Sequence, residues 1–390
     1  MLSTTGRRLA IAISAVLGSC VMAVSFGPPA RAGAGALPDS LSTSAFWALS
    51  TELSEPNGYF QSDNLVSNEI QFQRVIPDLT KSARAGRVYL GVGPEQNFSY
   101  IAALKPSMVF IVDVRRGNLQ LHLMYKALFE LSTDRADFVS RLFSKKRPAG
   151  LTAASTAQDI FAAYEKVETD DENLYKANLT AIDDHLVKTR GLQLTEEDLK
   201  GIEYVYYQFF NYGPSIQYWS TGGSGRGGRT APTFADLMMA EDGSGRARSF
   251  LASEESFALL KELEAKNLLV PVVGNFGGKK ALRGVGSYVR DHGAVVSAFY
   301  VSNVEQYLGR NGIWGEFCAN VASMPMDESS TFIRSVRSGN FVPGVGLDSE
   351  LGNMVSETKS CGMTGAARLL FRSGVLGRPL VAQPPARSRR

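Results

Sequence analysis

The stretch RVYLGVGPEQNFSYIAALKPSMVFIVDVRRGN, residues 87–118, decides the fold. Val88–Val92 and Met108–Val112 are short, apolar, β-branched runs without alternation, the pattern of parallel strands covered on both faces. Gly91, Gly93 and Pro94 make a tight turn after the first run, and residues from about Glu95 to Leu104 read as a short helix. Together these pieces form a βαβ unit. Glycines at a strand end let a ligand approach the backbone, and the helix start offers free N–H groups, with Glu95 and Gln96 at that start. Asp113 closes the second strand, where a carboxylate can accept two hydrogen bonds from a ribose. The unit points to a nucleoside-containing small molecule.

On the N-terminal side, residues 33–86 read as a helical flank. Phe46, Leu49 and Leu53 share one helical face before Glu55-Pro56-Asn57-Gly58 breaks the pattern. Ser67 or Asn68 is expected to cap a second helix that buries Ile70, Phe72 and Val75. Asp63, Asn64, Asn68 and Glu69 are also polar enough to line a ligand site, so capping and substrate binding compete for Asn68 and Glu69. On the C-terminal side, Leu119–Leu131 is an apolar helix containing His122, read as a packed, hydrogen-bonded histidine.

Residues 134–250 are long, polar and helical, an expected helical cap inserted into the sheet order. Within them Tyr204–Trp219 is dense in aromatic residues that can form the core of the cap or stack on a planar ligand. The glycine-rich run at 221–230 lacks the Lys-Ser/Thr ending of a phosphate-binding loop and reads as a connector. A second βαβ unit follows, with a strand at Leu268–Gly274, a helix at Lys279–Asp291 and a strand at Ala294–Val301. Its strand ends present Asn275 on one side and Ser302, Asn303, Glu305 and Gln306 on the other. Ligands of open parallel sheets sit beyond the carboxyl ends of the strands, so both units direct polar groups to one edge. Phe317–Ala322 is expected to be a last strand, with Ser329 or Ser330 capping a helix after it. Residues 87–371 are thus assigned to one α/β domain, and 372–390 to a disordered tail.

The 390 residues, 44% of them apolar, suffice for a large core. Residues 1–32 have the form of a signal peptide: Arg7-Arg8, an apolar run from Leu9 to about Val24, and Ala30-Arg31-Ala32 as a cleavage site. Leu17-Gly18-Ser19-Cys20 also resembles a lipoprotein box, but cleavage at Ala32 is favoured over lipidation of Cys20 because apolar sequence continues past Cys20 and an Ala-x-Ala site follows; a retained anchor is the third option. The expectation is an exported protein that meets the membrane only through this segment. The formal charge of +3 is misleading. Residues 1–32 hold three arginines and no acid, and residues 372–390 hold five and none, which leaves 33 basic against 38 acidic side chains in between. That acidic body argues against a nucleic-acid partner. Cys318 and Cys361 remain after Cys20, either as a disulfide or as free thiols. With three histidines in all, no metal site is expected.

The first unit resembles the class I S-adenosylmethionine-dependent methyltransferase fold, whose first strand ends in an acid-x-Gly-x-Gly-x-Gly motif. Gly91 and Gly93 match the first two glycines and Asp113 the ribose acid, whereas Tyr89 stands for the leading acid and Glu95 for the third glycine. On that resemblance Gly91, Gly93, Glu95, Gln96, Asp113 and Asn275 would bind the cofactor, with Glu95 the candidate partner for the methionine amino group. A dinucleotide fits less well, because an acid at the helix start opposes a pyrophosphate but tolerates a sulfonium. Nearly the whole mature chain is also similar to an uncharacterised family of exported bacterial proteins, through SDNLVSNEIQFQ, YLGVGPEQNFSYIA, VPVVGNFGGKKALR and GAVVSAFYVSNVEQYL.

The expected fold class is therefore α/β: a Rossmann-like, mostly parallel sheet of methyltransferase type with helices on both faces. Methyl transfer needs positioning and at most one base, and Glu305 and Tyr300 are the catalytic candidates. Ser302, Asn303, Asn68 and Glu69 are the candidate substrate contacts. The competing expectation is an exported binding or cell-envelope protein that keeps the fold without catalysis, since the methyl donor is made inside the cell.

Overall fold

The computed structural model describes residues 35–167, 171–221, 231–342, 345–359 and 361. The stretch expected to direct export, with Cys20, the glycine-rich run at 222–230 and the tail expected to be disordered lie outside the described residues.

The chain opens with α1 (Thr43–Leu53), α2 (Ile76–Ser82), β1 (Val88–Gly91), α3 (Gln96–Leu104), β2 (Met108–Asp113) and α4 (Arg116–Leu131). Next come α5 (Arg135–Phe143), α6 (Ala157–Glu165), α7 (Glu172–Asp184), α8 (Glu196–Tyr212), α9 (Phe234–Met239) and α10 (Glu254–Ala265). Then follow β3 (Leu269–Val273), α11 (Ala281–Asp291), β4 (Val296–Ser302), α12 (Val304–Arg310), α13 (Trp314–Ala322), β5 (Thr331–Val342), β6 (Val345–Asn353) and α14 (Met354–Lys359). Threonine and acidic residues set many of the helix starts. Thr156, Thr195 and Thr233 form reciprocal capping boxes with Asp159, Asp198 and Asp236, each cap contributing about 1 kcal/mol.

The six strands make one sheet in the order β3-β2-β1-β4-β5-β6. The first five run parallel and β6 returns antiparallel to β5. Every residue of β1, β2 and β3 is buried, as uniform apolar runs without alternation require. One helical layer packs α3 on α10, α10 on α4 and α4 on α8, while α1, α11 and α13 pack in sequence elsewhere on the sheet. The result is a Rossmann-like α/β fold. The chain moves outward from β1 through β2 to β3 and then returns to the other side of β1 for β4. The strand order therefore reverses between β1 and β4, where a crevice opens at the carboxyl edge.

Three local expectations are corrected. Phe317–Ala322 is helical, within α13, because Phe317, Cys318, Asn320 and Val321 are buried while Ala319 and Ala322 are exposed, a 3.6-residue rhythm. Ser329 and Ser330 cap no helix; they belong to a turn on Asp327 that leads into β5. Residues 64–70 likewise do not begin a helix. The chain there is extended and irregular up to a short 3-10 turn at Phe72–Val75, and Ser67, Asn68 and Glu69 stay available for other work. Tyr204–Trp219 divides by helix face: Tyr206 and Phe209 are core, whereas Tyr204 and Tyr207 are exposed. Cys318 and Cys361 form a disulfide that ties the end of α14 to α13.

Candidate functional site

A cavity of about 450 Å³ lies at the strand-order reversal, along the carboxyl ends of β1 to β4. The turn after β1 forms part of its wall. Gly91 is required there, since a Cβ would fall 1.8 Å from Asn97 Oδ1, and Gly93 has φ of +76°. Asn97 braces the turn from within α3: Nδ2 donates to the carbonyls of Val92 and Pro94 at 2.9 and 2.8 Å, and Oδ1 accepts from the Tyr89 hydroxyl at 2.9 Å. Tyr89, standing where the resemblance expects an acid, is thus a buried support for Asn97. His122 Nε2 donates to the Gly93 carbonyl at 2.9 Å. Burial lowers its pKa to about 4 against the opposing pull of that carbonyl and of Asp113, so the ring is neutral at pH 7.

Val92 and Pro94 reach the cavity surface, while Glu95 and Gln96 lie wholly buried behind it. Glu95 Oε1 accepts the Ser67 amide at 3.1 Å. Burial raises the Glu95 carboxyl to about 8, with the amides of Ser67 and of Glu95 itself offsetting part of the rise and the charge of Glu69 adding to it. It is therefore mostly protonated at neutral pH and a poor partner for a cation. Gln96 accepts from the Ser67 hydroxyl and donates through Nε2 to Glu69 Oε2 at 2.8 Å.

Glu69 stands at the crevice between β1 and β4. Its Oε1 accepts from the Tyr300 hydroxyl and the Ser302 hydroxyl, both at 2.7 Å. Burial, reinforced by the charge of Glu69, pushes the Tyr300 phenol well above its usual range, so Tyr300 holds its proton and orients the carboxylate. Across the cavity Asp113 is held by Arg115: Oδ1 accepts the Arg115 amide and Nε, each at 3.0 Å, and Oδ2 accepts Nη2 at 2.9 Å. Arg115 also donates to the carbonyls of Ser62 and Asp63 and lies 5.8 Å over the Phe60 ring.

The mouth is formed by the strap 54–63 and by α12. Glu55 fixes the strap, its carboxylate accepting the amides of Asn275, Lys280 and Ala281 at 3.0–3.1 Å where α11 has no cap of its own. Gly58 donates to the Val114 carbonyl at 2.8 Å, and an added Cβ would meet Val114 at 2.4 Å. Phe60 meets Tyr307 of α12 edge-on with centroids 5.0 Å apart.

Of the residues expected from the sequence, Asn68, Glu69, Asp113, Asn275, Tyr300, Ser302 and Asn303 line this cavity. Gly91, Gly93, Glu95 and Gln96 shape it from behind. Glu305 does not line it: its carboxylate is turned to Arg334 at 2.9 Å, and Arg334 also binds Glu357. Sequence reasoning missed Arg115, Phe60, Tyr307 and Asn97. Arg115 was within reach of inspection, two residues beyond Asp113, but the others meet the site only through tertiary contact. Among the described residues no group of three or more His, Cys, Asp or Glu side chains could hold a metal ion. No described helix is long and apolar enough to cross a membrane.

A Rossmann-like α/β protein with a ligand-sized cavity at its strand-order reversal is the class that fold and site define. A family model described as Domain of unknown function (DUF7790) matches residues 64–198 and 230–357, and the chain belongs to that family. No curated protein matches the chain.

Proposed function

We propose that the cavity binds an adenosyl-type small molecule and that the protein is a methyltransferase using S-adenosylmethionine. The observation that carries this reading is the composition of the cavity wall. Its charged side chains are Glu69, Asp113 and Arg115, and the guanidinium is already paired with Asp113. Such a lining suits a neutral or cationic ligand and opposes a pyrophosphate. The residues present fit the adenosyl group: Val92 and Pro94 bring backbone to the surface, Asp113 Oδ2 has accepted one hydrogen bond and can take a ribose hydroxyl, and Phe276 and Ile313 supply apolar walls. Bound S-adenosylmethionine would supply an electrophilic methyl group. The chain would contribute orientation and exclusion of water, with Phe60 and Tyr307 closing the mouth.

A second reading, an exported protein that binds the small molecule without catalysis, is favoured by the Cys318–Cys361 disulfide. Such a bond belongs to an oxidising compartment and agrees with export through residues 1–32. Calorimetry of the full chain with adenosylmethionine and adenosylhomocysteine tests the shared premise. Micromolar binding that weakens about tenfold in Asp113→Asn is expected, from the loss of one charge-assisted hydrogen bond. Absence of heat with both ligands at hundreds of micromolar overturns it. Binding without transfer of a labelled methyl group to envelope extracts selects the second reading.

A further inference from the structure

Carboxylates near the cavity divide by how their charge is met. Asp113 is ion-paired with Arg115, and Glu305 with Arg334 outside the cavity. Glu95 lies behind the wall, with the Ser67 amide on one oxygen. Glu69 is different. It lines the cavity and is 2% exposed, its hydrogen bonds come from Tyr300, Ser302 and Gln96, and no cationic side chain pairs with it among the described residues. A buried anion ordinarily has a cationic partner, and three neutral donors stabilise it without cancelling its charge.

The hydrogen-bonding capacity narrows what that partner is. A carboxylate offers about four acceptor positions. Oε1 takes two hydroxyl protons and Oε2 takes the Gln96 amide, which leaves one position on Oε2. A sulfonium has no proton to donate into it; an ammonium has. The geometry points to Glu69 as the counter-ion of a primary ammonium group on the cavity's ligand, so that the ligand is an amine or an α-amino acid derivative. The inference rests on the adenosyl reading for the choice of probes. It also assigns roles to the surroundings: Tyr300 and Ser302 fix one oxygen, and Gln96, itself held by Ser67, fixes the other. Glu69 thereby does what the leading acid of the glycine motif is expected to do, from a segment outside the βαβ unit.

Calorimetry of the full chain against adenosylhomocysteine and its desamino analogue tests this, with circular dichroism and thermal melting as fold controls. The wild type is expected to prefer adenosylhomocysteine by about tenfold or more, the worth of a charge-assisted hydrogen bond. Glu69→Gln is expected to abolish that preference while changing the affinity for the desamino analogue less than about threefold. Equal wild-type affinity for both ligands overturns the ammonium seat and leaves the adenosyl reading intact, and this comparison needs no variant. A preference that survives in folded Glu69→Gln also overturns it. If Glu69→Gln does not fold, Ser302→Ala, which retains the carboxylate, must keep the preference. Failure of the wild type to bind either ligand removes the adenosyl reading itself, and the seat with it.

Discussion

Replacing Glu95 by glutamine tests the electrostatics of the glycine turn from behind. The carboxyl is wholly buried, and burial raises it from an ordinary 4.5 to about 8. Below pH 4.5 the acid is protonated in folded and unfolded chains alike, and it costs nothing. Between pH 4.5 and about 8 the unfolded chain ionises while the folded one does not, so stability falls as pH rises, by up to about 1.4 kcal/mol per pH unit. Above pH 8 the loss levels off at roughly 5 kcal/mol. Glutamine keeps the shape and still accepts the Ser67 amide, but its own amide protons find no ready acceptor, a cost of about 1–2 kcal/mol. The variant should therefore be slightly less stable than wild type at pH 5 and more stable by about 3 kcal/mol at pH 8.5. Urea unfolding of both chains from pH 5 to 9, with the disulfide intact, measures the difference. His122, lowered to about 4, destabilises the fold as pH falls below 6.5, but it is present in both chains and cancels in the comparison. Parallel stability profiles with no crossing would refute the protonated Glu95.

The remaining predictions concern the strap and the C-terminal tie. Glu55→Ala removes the acceptor for two amides at the start of α11 and for that of Asn275 after β3, and should cost about 1–2 kcal/mol, read as a lowered urea midpoint; an unchanged midpoint would count against the strap being anchored there. Reducing the Cys318–Cys361 disulfide, 43 residues apart in sequence, releases loop-closure entropy worth about 4 kcal/mol. Unfolding with and without dithiothreitol should show that loss in wild type and none in Cys318→Ser.

The two βαβ units were legible because their strands are uniformly apolar and end in glycine or polar residues, so element type and the sheet edge that carries the cavity followed from pattern alone. Asp113 was found at the end of β2 for that reason. Phe317–Ala322 misled because a six-residue apolar run carries too little length to separate strand from helix. Glu305 misled for a reason the sequence itself contained. The cavity takes Val304, Tyr307 and Leu308 of α12 and then Asn311 at its C-cap, spaced i, i+3, i+4 and i+7, which turns position 305 about 100° away. Glu305 accordingly meets Arg334. Glu69 had no such local sign. It acquires its place through Tyr300 and Ser302, more than 230 positions further along the chain, and an irregular segment offers no period from which a facing direction can be read. What the sequence did show was an absence at Tyr89, where the resemblance expected an acid. Tyr89 is committed to Asn97 and Glu95 is buried behind the turn, so a carboxylate for the proposed cationic ligand would come from elsewhere, and among the described residues Glu69 lines the cavity without a cationic side chain paired to it.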